Sequence, residues 1–209
     1  MTNKNHEIIS KEGINFLVKK STIFQDILNK YGRPPAWERE PGFETLIKII
    51  LEQQVSLESA KAHFIALQQN IGTINPMNVL NASEKQLINS HLSRQKKTYI
   101  KALADEILNK GLDLESLHNL EEDEIRNKLI NVKGIGSWTV NVYLMMCLKK
   151  EDIFPLGDIA LKNTMKELTG LQTEEEMLKL ADEWRPYRTL ATFFMWHHYL
   201  SKKGKTLPK

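Results

Sequence analysis

The feature that most constrains this chain is the regular alternation of helix-capping residues with apolar residues at helical spacing. Ser21 precedes Phe24 and Ile27, and Gly32 ends that pattern. No segment alternates apolar and polar residues with the period of two that marks a strand. The sequence therefore predicts an all-α fold. The same capping pattern recurs at Ser56, at Ser83 with Gln86, and at Thr173 with Glu176.

The single cysteine, Cys147, excludes several classes of site. One thiol forms no intramolecular disulfide, no cysteine-based zinc site and no iron–sulfur cluster held by four thiolates. The N-terminus lacks the apolar core of a signal peptide, and no apolar run reaches membrane-spanning length. We therefore expect a cytoplasmic, nucleoid-associated protein with no membrane partner.

The net charge of the chain says little about which molecules it binds. The net charge is +3, which is too mild to predict nucleic-acid binding by itself. Lysine and arginine concentrate in residues 94–101, and acidic residues in 121–124 and 174–176. Solvated helix faces account for such runs equally well.

The most informative stretch is residues 129–146, LINVKGIGSWTVNVYLMM. An apolar helix end meets Gly134-Ile135-Gly136, and a second helix follows at once with Ser137 as its predicted N-cap. Glycines permit positive φ and a close backbone approach, and a helix N-terminus behind them is an anion site. Ile135 is expected to point inward. An ordinary helix corner would also use these glycines, so the stretch alone leaves both interpretations open.

A second turn follows at residues 154–158, FPLGD. Pro155 and Gly157 break the preceding helix, and Asp158 begins a new one as a predicted N-cap. Free amides and the helix dipole favour negative charge on that carboxylate. A charged carboxylate suits a reaction whose transition state develops positive charge.

Together these stretches resemble the helix-hairpin-helix DNA glycosylase superfamily, in which a Gly/Pro-rich loop ending in aspartate follows the hairpin. The resemblance runs from about Gly32 to Leu200 and is nearest to the 3-methyladenine DNA glycosylase II, or alkylpurine, type. It implies a single helical glycosylase domain over residues 1–209, with two helical lobes flanking a cleft. It also implies a compact member without an N-terminal β domain and with a frayed tail at residues 202–209.

The resemblance implies that hairpin amides hold a DNA phosphate and that no cofactor is required. A structural Na⁺ or K⁺ is expected on the backbone carbonyls of Ile130, Val132 and Ile135. The implied DNA contacts are Lys133, Gly134, Ile135, Gly136, Ser137 and Thr139.

Asp158 is the implied catalytic carboxylate, which stabilises an oxocarbenium-like sugar or orients water. In bifunctional relatives a lysine that attacks the sugar follows the hairpin, and here Trp138 stands in that place. Lys133 and Lys162 do not match the position. The resemblance therefore implies a monofunctional enzyme that leaves an abasic site.

An alkylated purine is cationic, so electron-rich aromatic faces attract it. Trp138 and Trp196 are the predicted walls of a base pocket, although both could instead be core residues. Tyr143 or Tyr187 is a further candidate. Trp37 and Trp184 are interpreted as core.

Base flipping leaves a gap in the DNA stack. The loop of residues 90–94 is the predicted wedge, with Arg94 at the aligned position, Leu92 as the more apolar alternative and Ser93 between them. Gln53 is expected either to probe the orphaned base or backbone or to cap a loop.

The leading hypothesis is a monomeric glycosylase that removes 3-methyladenine and 7-methylguanine from double-stranded DNA in base excision repair. One alternative is a glycosylase of the same superfamily for deaminated or oxidised bases. Others are a non-catalytic helix-hairpin-helix DNA-binding protein and a helical interaction protein.

Overall fold

The structure, a computed structural model, describes residues Glu7 to Lys205. Within that range it contains twelve α-helices, one short 3-10 helix and no strand, which confirms the predicted all-α class. Most of the predicted tail, residues 206–209, lies outside the described range. The α-helices are α1 (Lys11–Lys20), α2 (Thr22–Tyr31), α3 (Phe43–Glu52), α4 (Leu57–Ile71), α5 (Pro76–Asn81), α6 (Glu84–Asn89), α7 (Arg94–Asn109), α8 (Glu122–Ile130), α9 (Ser137–Met146), α10 (Ile159–Thr169), α11 (Glu174–Asp182) and α12 (Arg188–Lys202), and the 3-10 helix is Ser116–Asn119.

Local hydrogen bonds explain where the helices begin. Ser21 and Ser56 cap α2 and α4, and both predicted capping boxes, at Ser83 and Thr173, are present. Each such side chain satisfies an amide that the first helical turn leaves without an acceptor. The capping pattern therefore predicted these four helix starts correctly.

The chain divides into two compact units. The central unit comprises residues 39–143. Its core is built on α3, whose side chains Leu46, Ile47, Ile50 and Leu51 have no exposed surface. Helices α4 and α7 pack on α3, and α5 packs on α7. Burial of each such side chain stabilises the fold by roughly 1.5–3 kcal/mol.

The terminal unit is formed by two separate stretches, which within the described range are residues 7–38 and 144–205. Helix α12 is its axis and packs against α1, α2 and α10. Phe24 of α2 makes edge contacts with Trp184 and Phe194 at ring-centroid distances of 5.1 and 5.4 Å. Trp184 is fully buried, which confirms its interpretation as core.

No helix between Glu7 and Lys205 combines the length and the apolar character that crossing a membrane requires.

Candidate functional site

The hairpin of the central unit joins α8 to α9 through a tight turn. The amide of Val132 donates to Leu129 O at 3.1 Å, and the amide of Ile135 donates to Val132 O at 3.0 Å. Ile135 and Val132 are buried, so the residue between the glycines points inward as predicted. Within the described residues the amides of Gly134 and Gly136 donate no backbone hydrogen bond. They are therefore available to an anion from outside the chain.

The two hairpin glycines serve different purposes. Gly134 has φ +94°, and a Cβ there would lie 2.1 Å from the ring of Tyr99. Gly136 does not have a left-handed φ, and a Cβ there would meet nothing within 4 Å. Of the two glycines, only Gly134 therefore uses the positive φ that glycine permits. The fold requires a glycine only at Gly134.

Helix α9 begins one residue earlier than its predicted cap allows. Ser137 is its first residue, and Gly136 O accepts the first helical hydrogen bond, from Val140 N at 3.0 Å. The N-cap position is therefore Gly136, and the prediction of Ser137 as N-cap is wrong. Both Ser137 and Lys133 are exposed, as a contact to DNA would require.

Gln53 holds the hairpin from within the protein. Its side-chain amide donates to Gly134 O and to Thr139 Oγ1, both at 2.9 Å. Because these bonds use both amide hydrogens, Gln53 acts as a brace between α3 and the start of α9. Thr139 is 1% exposed, so its side chain belongs to this brace and is not a DNA contact.

The loop between α6 and α7 exposes part of the predicted wedge and buries one of its candidates. Leu92 is 6% exposed and therefore cannot enter a gap in DNA from this position. Ser93 caps α7 by accepting from Lys96 N at 3.2 Å, and Arg94 is the exposed first residue of that helix. The exposed tip is His91, a non-glycine residue with φ +57°.

Sequence reasoning missed two side chains of α7 that stabilise this face of the central unit. Lys96 is buried and donates from Nζ to Leu51 O at 2.6 Å, and this burial lowers the pKa of its ammonium group. Tyr99 packs on Gly134. The basic run 94–101 signalled exposed charge, and nothing in its spacing singled out Lys96 as the inward member.

The terminal unit carries the candidate catalytic carboxylate. Asp158 is the N-cap of α10, and its Oδ1 accepts from Leu161 N at 2.8 Å, as its sequence position predicts. The same Oδ1 accepts from Nε1 of Trp196 at 3.0 Å. The helix N-terminus and both donors stabilise negative charge on this half-buried carboxylate and fix its orientation.

Trp196 lies in an aromatic cluster on α12. Its ring stacks on Phe193 with centroids 5.9 Å apart and planes 23° apart, and Trp37 lies 6.2 Å away. Only 7% of Trp196 is exposed. Its clearest role in the structure is therefore to hold Asp158, which the sequence did not indicate.

The tyrosines proposed for the base pocket lie elsewhere. Tyr143 is fully buried in the central unit, where its hydroxyl oxygen accepts from Gly42 N at 3.0 Å, so its ring exposes no face. Tyr187 packs on Phe16 of α1, and burial raises the pKa of its phenol. Tyr187, the N-cap of α12, and Trp196 are nine positions apart along that helix, which is roughly 13 Å. We retain neither tyrosine in the pocket.

Trp138 lies in the first turn of α9, in the central unit, and is half-buried. Because part of its ring stays exposed, Trp138 remains a predicted pocket wall.

The carbonyls expected to bind a monovalent cation end α8 and form the turn after it. The last carbonyls of a helix lack intrahelical donors, which suits Na⁺ or K⁺. Val132 O accepts one hydrogen bond, from Ile135 N, and a carbonyl has two lone pairs. The carbonyl oxygens of Ile130, Val132 and Ile135 are therefore suitable ligands for such an ion. Among the described residues no group of three or more histidine, cysteine or carboxylate side chains could hold a metal.

Comparison with known proteins gives three results. The sequence profile of the HhH-GPD superfamily base excision DNA repair proteins matches residues 47–186, more than half of the chain. The alkylbase DNA glycosidase-like protein mag2 of Schizosaccharomyces pombe is 32% identical over 135 residues, covering 62% of this chain and 63% of mag2. The chain thus spans less than two thirds of the length of this curated relative.

Among solved structures, a DNA-3-methyladenine glycosidase from Bacillus halodurans is similar with a TM-score of 0.75 and 26% identity, over 93% of this chain and 92% of that one. The 3-methyladenine DNA glycosylase Mag1 of Schizosaccharomyces pombe, solved in complex with abasic DNA, has a TM-score of 0.76 and 22% identity over 89% of this chain and 95% of its own. The second likeness concerns the fold alone.

Proposed function

The chain belongs to the HhH-GPD superfamily of base excision DNA repair proteins, and from that premise we propose that it is a monofunctional DNA glycosylase for alkylated purines. Its substrates would be 3-methyladenine and 7-methylguanine in double-stranded DNA. The observation that carries the proposal is the carboxylate of Asp158, which α10 and Trp196 hold in one orientation. The names of the relatives support the substrate class.

The central unit would bind the DNA backbone. The amides of Gly134 and Gly136 and the N-terminus of α9 form a site for one phosphate, and Lys133 adds a positive charge beside it. A cation on the hairpin carbonyls would fix the turn. Contacts of this kind fix position on the duplex without reading sequence, so binding should weaken steeply with salt.

The terminal unit would carry out the hydrolysis. As the bond from C1′ to the purine nitrogen breaks, its electron pair leaves with the base and positive charge develops on the sugar. Asp158 stabilises that charge and orients water, whose oxygen forms the new bond to C1′ while one of its protons passes to the solvent. A methylated purinium leaves as a neutral base, so strong acid catalysis is unnecessary.

The monofunctional character follows from the side chain that follows the hairpin. Trp138 offers no amine that could attack C1′, so water is the nucleophile and the product is an intact abasic strand. We also propose that the protein acts as a monomer on the DNA of the nucleoid.

The experiment is incubation of the protein with methylated duplex DNA, followed by identification of the released bases and a test for strand nicking. Release of 3-methyladenine and 7-methylguanine, with nicking only after alkali, is the expected result. Release of deaminated or oxidised bases instead would support another substrate class of the superfamily. DNA binding without release of any base would reject the enzyme.

A further inference from the structure

We propose that Lys96 is a positioning residue for the phosphate site of the hairpin, an inference that rests on the DNA binding included in the proposed function. Its buried ammonium group holds the C-terminal end of α3, and Gln53 reaches from that end to Gly134 O. Lys96 is only 8% exposed, so it acts through Gln53 and does not itself contact DNA.

Lys96 supplies a donor to a carbonyl for which α3 has none. Leu51 is one of the last four residues of α3, and the carbonyls of these residues lack a donor within the helix. Nζ of Lys96 donates to Leu51 O at 2.6 Å. The positive charge also lies at the negative end of the helix dipole. The last turn of α3 is therefore held by a hydrogen bond and by charge together.

The backbone changes direction just after this carbonyl. Gln53 ends α3 with φ −60° and ψ 126°, which is not helical, and Gln54 has φ +58°. The side chain of Gln53 makes the two hydrogen bonds that brace the hairpin. The direction in which Gln53 leaves the helix therefore depends on how the last turn of α3 is held.

Helix α7 contacts the hairpin at a second point. Tyr99 lies three residues after Lys96, on the same face of α7, and its ring packs on Gly134. Lys96 holds the helix end from which Gln53 donates, and Tyr99 packs on the residue whose carbonyl accepts. Both ends of the hydrogen bond from Gln53 to Gly134 are therefore positioned by α7.

Stability alone does not account for an ammonium group at this place. Burial lowers the pKa of Lys96, and no carboxylate of the described residues offsets this effect. The imidazole of His63 on α4 is not a counter-ion. Burial and the positive charges of Lys96 and His91 lower the pKa of His63, and its buried Nδ1 has no hydrogen-bond partner within the described range. A buried charge without a counter-ion destabilises a fold, so the benefit of Lys96 lies in what it positions.

Lys101 makes the same kind of contact at another helix and is the matched control. Its Nζ donates to Leu80 O at 3.2 Å and to Ala82 O at 2.8 Å, at the C-terminal end of α5. Lys101 also belongs to α7, but α5 carries no residue of the brace. Lys96→Met and Lys101→Met each remove one positive charge from α7 and one ammonium group from a helix end. Only Lys96→Met should affect the hairpin.

The test measures affinity for a duplex with a tetrahydrofuran abasic site, at several salt concentrations and at a temperature at which each variant is folded. Lys96→Met should weaken binding by about 3- to 10-fold and lower the salt dependence by up to about one phosphate contact. Lys101→Met should keep the wild-type affinity and salt dependence. Lys96→Arg keeps a positive charge and its donors, so it should restore most of the affinity. Lys96→Gln is neutral, should weaken binding as Lys96→Met does, and replaces that variant if it does not fold.

A double variant tests whether Lys96 acts through Gln53. Gln53→Met removes the brace and should weaken binding by a similar factor. Because both substitutions act on one contact, Lys96→Met should have little further effect in a protein that already carries Gln53→Met. In single-turnover excision of 7-methylguanine, Lys96→Met should raise the protein concentration that gives the half-maximal rate and leave the maximal rate unchanged.

Three results would overturn the inference. They are wild-type affinity and salt dependence in Lys96→Met, an equal loss of affinity in Lys101→Met, and a full further loss when Lys96→Met is added to Gln53→Met. Failure of the proposed function is distinguishable, because it is measured by another assay. A wild type that binds the duplex but releases no alkylated base would reject the enzyme, whereas affinity alone decides the role of Lys96.

Discussion

The first turns of α9 and α10 both contain backbone amides that lack an acceptor within the helix. The two helices differ in the residue at the N-cap. At α10 the N-cap is Asp158, whose carboxylate accepts the amide of Leu161. At α9 the N-cap is Gly136, which has no side chain to do so. An uncapped helix start is a receptor for an outside anion, whereas a capped one holds an anion of the chain itself. One local feature would thus provide both the proposed phosphate site and the proposed catalytic carboxylate.

Asp158→Asn tests the capped start and should have the largest effect. Asparagine caps helices as well as aspartate does, so the melting temperature should be unchanged. The negative charge is lost, and excision of 7-methylguanine should fall by about 10²- to 10³-fold. Single-turnover excision measures this, with affinity for abasic DNA as the control. Retained turnover would contradict the catalytic assignment.

Gly134→Ala tests whether the hairpin glycines are equivalent. The substitution combines an unfavourable φ with a clash on Tyr99, so the free energy of unfolding should fall by about 2–4 kcal/mol. Gly136→Ala meets no neighbour, so it should lower that free energy only through the weaker N-cap, by about 0.5–1 kcal/mol. Urea unfolding measures both. Part of the loss comes from the clash with the ring of Tyr99. In a protein that already carries Tyr99→Ala, Gly134→Ala should therefore lower the free energy of unfolding by less.

Gly136→Asp makes the start of α9 resemble that of α10. The new carboxylate would cap the helix and repel a phosphate, so DNA affinity should fall by about tenfold at constant salt while stability holds or rises. Binding titrations at several salt concentrations should show that the slope of log K against log salt concentration is smaller, by the amount expected for about one phosphate contact. Gly136→Ala should weaken binding less. Wild-type affinity in Gly136→Asp would show that this helix start does not receive a phosphate.

Trp196→Phe should have the smallest effect of the four. It removes the second donor to Asp158 while keeping an aromatic ring, so the rate of excision should fall by about 3- to 10-fold. Affinity for abasic DNA and the preference for cationic bases should change little. A wild-type rate of excision would show that this hydrogen bond does not contribute to the role proposed for Asp158.

The sequence predicted what depends on near neighbours along the chain. Helix starts at Ser21 and Asp158 follow from hydrogen bonds that span two or three residues. The brace from Gln53 to Gly134 joins residues 81 positions apart, and the bond from Trp196 to Asp158 spans 38. No pattern of spacing could reveal these, because they depend on how distant helices pack.

Exposure was the other property that the sequence misjudged. Trp37 precedes the charged residues 38–40 and Trp196 follows the apolar run 193–195, yet both were judged without knowledge of the rings that pack on them. Leu92 and Tyr143 were chosen for their chemistry, and tertiary packing buries both. Helix α1 was not predicted, although Ile14, Leu17 and Val18 follow helical spacing behind its cap, Ser10.

The terminal unit is built from two stretches of chain that enclose the whole central unit in sequence. During synthesis on the ribosome, Trp37 emerges early, whereas α12 with Trp196 emerges near the end of the described chain. The segment proposed to grip DNA is therefore complete before the carboxylate has its tryptophan partner. A chain that stops before α12 would lack the axis of the terminal unit, so we expect it to bind DNA without releasing a base.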